Sequence, residues 1–521
     1  MNQTSAQIGA LGRQAAQRRD WAMVGRCAGE LIGRDSRDPE GHFLAGLAER
    51  GVRRPRQATE CFHRALALDA DRHDAALELA SLYSVSGRHK EAFELLERYT
   101  PRLHDSPRYL DIAGLAYSAI GLPERAWPLH HRADTLQPGM SKFMANLAAC
   151  CVTLGRIDES RALYLKLLER DPTHQRNHYH LAQLGRAKDD THLQQMQALL
   201  AKSPSPPPQN IFLYYAIGKE LEDLGRWGEA FEHFRRAGDA AASVSNYDVA
   251  PDVALIDTLI EVCNADWVGQ PAVRRDSTAK EKRPLFIVGL PRTGTTLTER
   301  ILTSHSKVAA IGETLQIEAA LCRMGGGQAM SPAVIRAAAW GDIRQFAEGY
   351  FDSVRYRLGP KPMFIEKYPE NFHYLGFIAR AWPDAPLIYL HRHPLDACLA
   401  LYKQSYFRYA YKLEDLGRYY IAHDRLLRHW RTVLGTRLIE VPYESLVSDP
   451  EPRIRELLAR LGLDFESACL EIERNEAASA TASAAQVREP IHARSVGRWR
   501  HFAQQLEPLR KMLEDAGIPA T

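Results

Sequence analysis

A period of 34 residues constrains the N-terminal half of this chain more than any other feature: Ala58, Ala92, Ala126 and Ser160 recur at that spacing. Gly87, Gly121 and Gly155 keep the same period five residues upstream, and Gly46, Ala80, Gly114 and Ala148 fill another slot. Phe62, Leu96, His130 and Tyr164 follow four residues after the small residue, and Pro138 and Pro172 close two of the units. A further unit around Gly218, Gly225, Ala230, Phe234 and Ala237 fits the same template. Small residues at fixed spacing let antiparallel helices approach, a large side chain fills the gap, and stacked neighbours build a continuous core. The first unit is degenerate, and residues 175–202 depart from the period. KSPSPPPQN at 202–210 interrupts the array, because proline cannot continue a helix.

The second constraint is the stretch PLFIVGLPRTGTTLTERILTS at 284–304. Leu285 to Val288 is a short apolar run that predicts a buried strand, Gly289 to Gly294 a turn, and Thr295 to Leu302 a helix. A strand, a glycine-bounded turn and a helix N-terminus together form an anion cradle, with backbone N–H groups and the helix dipole favouring negative charge. The glycines are spaced as in a P-loop, but Thr295 stands where the P-loop lysine belongs and the cation is Arg292, inside the loop. A phosphate-like ligand is expected, and an ordinary nucleoside triphosphate with magnesium is not the best match.

Further strand-to-helix steps follow. Val308 to Ile311 precedes Gly312-Glu313-Thr314. A strand near 363–367 ends on Glu366-Lys367. Leu387 to Leu390 leads into His391-Arg392-His393-Pro394 and a helix with Asp396 in its first turn. Leu438 to Val441 leads into Tyr443-Glu444. Alternating strands and helices predict a mainly parallel sheet with helices on both faces, whose strand ends carry the functional residues. Glu313 can equally serve a helix dipole, and Arg392 a structural ion pair. The tail from Thr481 to Phe502 is polar and turn-rich until Trp499, which suits a loop folded over a site.

At 521 residues, 45% apolar and 25% charged, the chain has the composition of an ordinary globular protein of two to four domains. A net charge of +3 excludes wholesale nucleic-acid binding. The eight cysteines form no Cys-x-x-Cys pair and no metal-ligand cluster, and read as reduced thiols of a cytoplasmic protein. The first residues carry no signal-peptide core, and no apolar run is long enough for a membrane span.

The 34-residue template resembles tetratricopeptide repeats over about residues 5–245. PRTGTT, with its strand and helix, is similar to the 5′-phosphosulfate loop of sulfotransferases. HRHPLDACLALY is similar to their 3′-phosphate motif, with Arg392 and Asp396 in place. The match runs over about residues 283–505 and lies nearest to protein-tyrosine sulfotransferases and bacterial tetratricopeptide-repeat sulfotransferases. The expected fold is α + α/β: a helical repeat solenoid at 5–245, a helix and linker at 246–282, and a P-loop-like sulfotransferase domain with a mainly parallel sheet at 283–521. The linker itself is read at 264–283.

The resemblance implies sulfuryl transfer from 3′-phosphoadenylyl sulfate to an acceptor hydroxyl, with no metal. It implies Glu313 as general base, and Lys367 and Ser483 on the departing bridging oxygen. Arg292, Thr293, Gly294, Thr295 and Thr296 would hold the 5′-phosphate and the transferring group, and Arg392, Tyr443 and Arg498 the nucleotide and its 3′-phosphate. Two departures stand out. Ala400 occupies the place of a serine, removing a hydrogen bond to a charged group worth about 1.5–3 kcal/mol, for which Lys403 or Ser405 could compensate. Leu315 replaces an arginine of the tyrosine enzymes. A peptide or protein tyrosine is the favoured acceptor, presented by the repeat groove. A carbohydrate or small-molecule hydroxyl stays open, as do a P-loop kinase and a non-catalytic adaptor with a decayed transferase domain. The repeats can equally serve homodimerisation.

Overall fold

The computed structural model describes residues 3–103, 105–202, 207–270, 282–481 and 483–521. The chain divides into two compact units, Met1–Cys150 and Cys151–Thr521.

The first unit is a run of helices joined by short turns, from Ser5–Gln17 to Pro123–Leu136, and the helix Ser141–Leu154 crosses the division. The repeating slots have a direct steric cause. A Cβ on Gly46 would lie 2.4 Å from the Phe62 ring, and one on Gly114 would lie 2.7 Å from the His130 ring. Ala58, Ala92 and Ala126 are fully buried. His130, in a slot that elsewhere holds a hydrophobe, is buried too, and its Nδ1 meets Asp111 at 3.1 Å. Buried polar groups persist only with such partners.

The second unit opens with more helices. Residues 175–202, irregular in their period, are nevertheless helical at Gln175–Gln183 and Thr191–Lys202. Pro207–Asn210 then forms a tight turn before the helices Ile211–Asp223 and Trp227–Ser243. In this pair Gly218 again faces an aromatic, Phe234, 2.7 Å from where a Cβ would sit. Of the interrupting segment 202–210, residues 203–206 lie outside the described residues. So do residues 271–281 of the expected linker, whose first part contains the short helix Ala265–Val268.

Among the described residues five strands follow: β1 (Arg283–Gly289), β2 (Val308–Ala310), β3 (Met363–Lys367), β4 (Leu387–His391) and β5 (Leu438–Pro442). They form one sheet in the order β2-β3-β1-β4-β5, and every pairing is parallel. Alternate residues serve opposite faces. Phe286, Val288, Phe364, Leu387 and Tyr389 pack into one core, and Leu285, Ile287, Ile365, Ile388 and Leu390 into the other, against Ile301, Leu302 and Leu458. Burial on both faces is why these strands read as continuous apolar runs rather than alternating ones. From β1 the chain proceeds to β2 and β3 on one side, then crosses to β4 and β5 on the other. The ends of β1 and β4 therefore flank a topological switch point, where open α/β sheets leave a crevice.

Candidate active site

The loop after β1 is shaped by close backbone approach. A Cβ on Gly289 would lie 2.3 Å from the Leu390 carbonyl oxygen of β4, and one on Gly294 (φ 102°) would lie 2.6 Å from the Tyr443 ring. Between them Arg292 takes φ 72°, an uncommon conformation for a residue with a side chain. The Thr293 hydroxyl donates back to the Leu290 carbonyl at 2.7 Å, closing the turn. Helix Thr295–Thr303 starts on Gly294 without a side-chain cap, so its first amides keep their capacity for an anion. Thr293, Thr295 and Thr296 are buried.

Arg292 and Arg392 lie side by side on one cleft of about 280 Å³. Arg392 Nη1 donates to the Arg292 carbonyl at 3.2 Å. The Arg392 guanidinium sits 4.9 Å above the Tyr443 ring, which also abuts Gly294. The tail closes over both arginines: Arg292 donates to the Ser483 hydroxyl and, at 2.9 Å, to Gln486 Oε1, while Arg392 donates to the Ser495 carbonyl. Each arginine keeps a buried Nε with no hydrogen-bond partner among the described residues. Burial, with the nearby charge of Arg392, holds Arg292 below its ordinary pKa. Two arginines with unused donors thus face one cleft.

Asp396 does more than suit a helix dipole. It is buried, and its carboxylate accepts from the Gly497 amide at 2.7 Å and the Trp499 amide at 2.9 Å, fixing the end of the tail. Arg498 is thereby brought to the cleft, where its Nε meets Glu222 at 2.7 Å. Lys403 and Ala400 line the same cleft. Ser405, the other expected substitute for the missing serine, instead bonds the Tyr179 hydroxyl at 3.4 Å.

Glu313 and Lys367 form a second group. Lys367, the last residue of β3, is fully buried, and its Nζ meets Glu313 Oε1 at 2.5 Å and Glu299 Oε2 at 3.5 Å. Burial opposes its charge, but the two carboxylates overcome that and raise its pKa. Burial in turn pushes the Glu299 carboxyl up. Glu313 thus engages Lys367 rather than serving the helix Gln316–Met324 alone. Neither Glu313 nor Lys367 is among the residues lining the arginine cleft, whereas Ser483 is.

Beneath Glu313, the Thr314 hydroxyl donates to Glu366 at 2.8 Å, as does the Tyr350 hydroxyl at 2.8 Å. Burial lifts Glu366 to about 7. Glu222, Glu299 and Ser495 were not singled out by sequence. Glu299 sits among the buried positions of its helix and Glu222 near the end of helix Ile211–Asp223, and neither carries a local signal. Among the described residues no group of three or more His, Cys, Asp or Glu is arranged to hold a metal ion, and no helix is long and apolar enough to cross a membrane.

Comparison with known proteins bears on this architecture. The profile of the sulfotransferase family matches residues 284–467, and tetratricopeptide-repeat profiles match residues 50–115 and 141–174. An uncharacterized protein of Aquifex aeolicus (strain VF5) is 28% identical over 402 residues, covering 74% of this chain and 52% of its own length. The chain thus spans about half the length of the curated relative it matches. The sulfotransferase domain from the curacin biosynthetic pathway is 14% identical with a TM-score of 0.33, over 47% of this chain and 100% of its own. That of the Synechococcus PCC 7002 olefin synthase is 20% identical, TM-score 0.33, over 47% and 98%. The tetratricopeptide-repeat protein YrrB is 17% identical, TM-score 0.27, over 41% and 91%. The chain therefore carries a sulfotransferase-family domain downstream of tetratricopeptide repeats.

Proposed function

We propose that this protein transfers a sulfuryl group from 3′-phosphoadenylyl sulfate to an acceptor hydroxyl. The observation that carries it is the pairing of Arg292 and Arg392 on one cleft at the sheet's switch point, each with an unused buried Nε among the described residues. Those orphan donors fit a nucleotide carrying phosphate at both ends.

In this proposal Arg292 and the amides of residues 293–296 hold the 5′-phosphate and the transferring group. Arg392, Tyr443 and Arg498 hold the nucleotide and its 3′-phosphate. The acceptor oxygen attacks sulfur in line, the bond from sulfur to the bridging oxygen breaks, and adenosine 3′,5′-bisphosphate leaves. Glu313 takes the acceptor proton, while Lys367 and Ser483 stabilise the departing oxygen. Positioning and fixed charge supply the catalysis, since charge spreads over peripheral oxygens. Lys367 steadies Glu313 at 2.5 Å, and an arriving hydroxyl competes for the same carboxylate.

A peptide tyrosine is our preferred acceptor, presented along the repeats, with homodimerisation as their other use. Leu315, 50% exposed in place of an arginine, favours a substrate not built around acidic residues. A carbohydrate or small-molecule hydroxyl is the second choice. A non-catalytic adaptor has its best support in Ala400. We take residues 5–245 as the repeat array, 246–282 as helix and linker and 283–521 as the transferase domain. Eight scattered cysteines without a Cys-x-x-Cys pair support a reducing compartment, the cytoplasm.

The test has two arms. Adenosine 3′,5′-bisphosphate should raise the melting temperature, and ATP with magnesium should not; the reverse result would make the protein a kinase-type nucleotide binder. Labelled sulfate should then pass from the donor to peptide or glycan pools. Binding without any transfer would favour the adaptor.

A further inference from the structure

Lys367 is surrounded by more negative charge than one ammonium requires. Its Nζ donates to Glu313 Oε1 at 2.5 Å, a complete ion pair, yet Glu299 Oε2 also stands near it at 3.5 Å. The first contact is a hydrogen bond, and the second is a looser ion pair beyond ordinary hydrogen-bond length. Glu299, on the helix Thr295–Thr303 that leaves the anion loop, is 8% exposed, and its Oε1 is buried with no hydrogen-bond partner among the described residues. An unpaired buried carboxylate oxygen costs stability, and neutrality does not call for a second carboxylate against one buried ammonium. Glu313, by contrast, is exposed and open to an acceptor. Burial raises the Glu299 carboxyl, Lys367 opposes that, Glu313 adds to the rise and Arg357 offsets part of it. Against burial, Glu299 is the leading cause that keeps Lys367 charged, ahead of Glu313.

We propose that Glu299 is the second seat of the Lys367 ammonium, a positioning residue that draws the lysine off Glu313 so that Glu313 can take the acceptor's proton. This rests on the roles proposed above for Glu313 and Lys367. In the resting site the ammonium occupies the Glu313 carboxylate and blocks the base. An arriving acceptor hydroxyl bonds Glu313 in its place, and Lys367 turns to Glu299. An ammonium has three N–H donors, enough for Glu299 and for the departing bridging oxygen together. The acceptor O–H bond breaks and its proton ends on Glu313, while the new bond to sulfur forms and the bond from sulfur to the bridging oxygen breaks. Lys367 stays protonated throughout. Neutralising Glu313 also removes the like charge beside Glu299, which leaves Glu299 as the anion that pairs with Lys367.

The experiment is the pH profile of the maximal rate of labelled-sulfate transfer from 3′-phosphoadenylyl sulfate to the peptide or glycan pool, using the full chain. Calorimetric titration with adenosine 3′,5′-bisphosphate runs beside it. Glu299→Gln keeps the shape of the side chain and removes its charge. Its maximal rate should fall about tenfold or more. The acid limb of its profile should move to lower pH by about one unit, because an anion that holds a proton on the site is gone. Its bisphosphate affinity should change by less than about twofold. The charge of Glu313 also reaches Tyr368, Glu370 and Tyr406, which are the same in every variant. Glu299→Asp keeps the charge but shortens the reach, so it should hold the wild-type limb at a rate between the other two. Where Glu299→Gln does not fold, Glu299→Asp carries the test, and a full wild-type rate in it would overturn the second seat. An unmoved limb in Glu299→Gln, or a rate loss matched by an equal loss of bisphosphate affinity, overturns the seat while leaving Glu313 and the donor assignment standing. A wild type inactive on both pools, or a fully active Glu313→Ala, overturns the base assignment and the seat with it.

Discussion

Glu313 and Lys367 stand on different strand ends, 54 positions apart, yet meet at 2.5 Å. Each was visible in sequence as a polar residue closing an apolar run, and the parallel sheet is what brings β2 and β3 together. Glu299, the third member, was not legible, because a carboxylate on a buried helix face looks like a surface residue until the fold is known. If Glu313 is the base, Glu313→Ala lowers turnover by about a hundredfold or more while bisphosphate affinity stays unchanged. Full activity in that variant would remove it from the role. Glu366 lies directly below, and its folded pKa of about 7 exceeds its ordinary 4.5 because it is buried. A carboxyl whose pKa is raised by folding stabilises below its unfolded value and loses that stabilisation as pH rises through the folded one. Wild-type stability relative to Glu366→Gln should therefore fall by about 3 kcal/mol between about pH 4.5 and about pH 7.5. Denaturant melts across that window check it, and parallel profiles would refute it.

The tail is the element whose placement matters most, since it delivers Ser483, Gln486, Ser495 and Arg498 to the cleft. Its root is tied to helix Thr295–Thr303: Arg300 donates to the carbonyls of Ile472, Asn475 and Ala477, and Asn475 Nδ2 returns a bond to the Arg300 carbonyl at 3.2 Å. The chain just before the tail, and Arg488 within it, are tied to the turn at residues 153–155. The Ser479 amide meets the Thr153 carbonyl at 2.9 Å, Arg488 donates to the same carbonyl at 3.3 Å, and the Arg488 guanidinium covers Gly155. The turn-rich composition foretold a covering loop but not this anchorage. Gly155 and Gly225 occupy equivalent slots with φ 77°, and only Gly155 has a neighbour where a Cβ would go. Alanine at either should cost about 1 kcal/mol from the left-handed backbone. Gly155→Ala alone should also raise the KM for the donor severalfold by displacing Arg488. Identical KM values in the two variants would show that the anchor does not govern the cleft.

At the scale of the molecule, every residue lining the cleft comes from the unit Cys151–Thr521, and several precede the strand β1. Truncation to residues 139–521 should therefore keep bisphosphate binding, whereas truncation to residues 246–521, which removes Glu222 and the Thr153–Gly155 turn, should abolish it even if the sheet still folds. Calorimetry and far-UV circular dichroism on both chains decide the matter, and binding by the shorter one would refute it. By itself, the sequence determined the local geometry: a 34-residue helical period enforced by glycine against aromatic rings, and an anion loop enforced by the spacing of Gly289 and Gly294. The repeat contacts join near neighbours in the chain, and the spacing of the loop glycines is likewise local, although what those glycines touch, Leu390 and Tyr443, lies far along the chain. Only the tertiary structure decided that Arg292 and Arg392 share one cleft, that a buried lysine joins two carboxylates, and that a helix well ahead of the sheet brings Glu222 to the same cleft. Those pairings depend on strand order and on helices packing across long stretches of chain, and burial, not composition, gives the charges involved their partners.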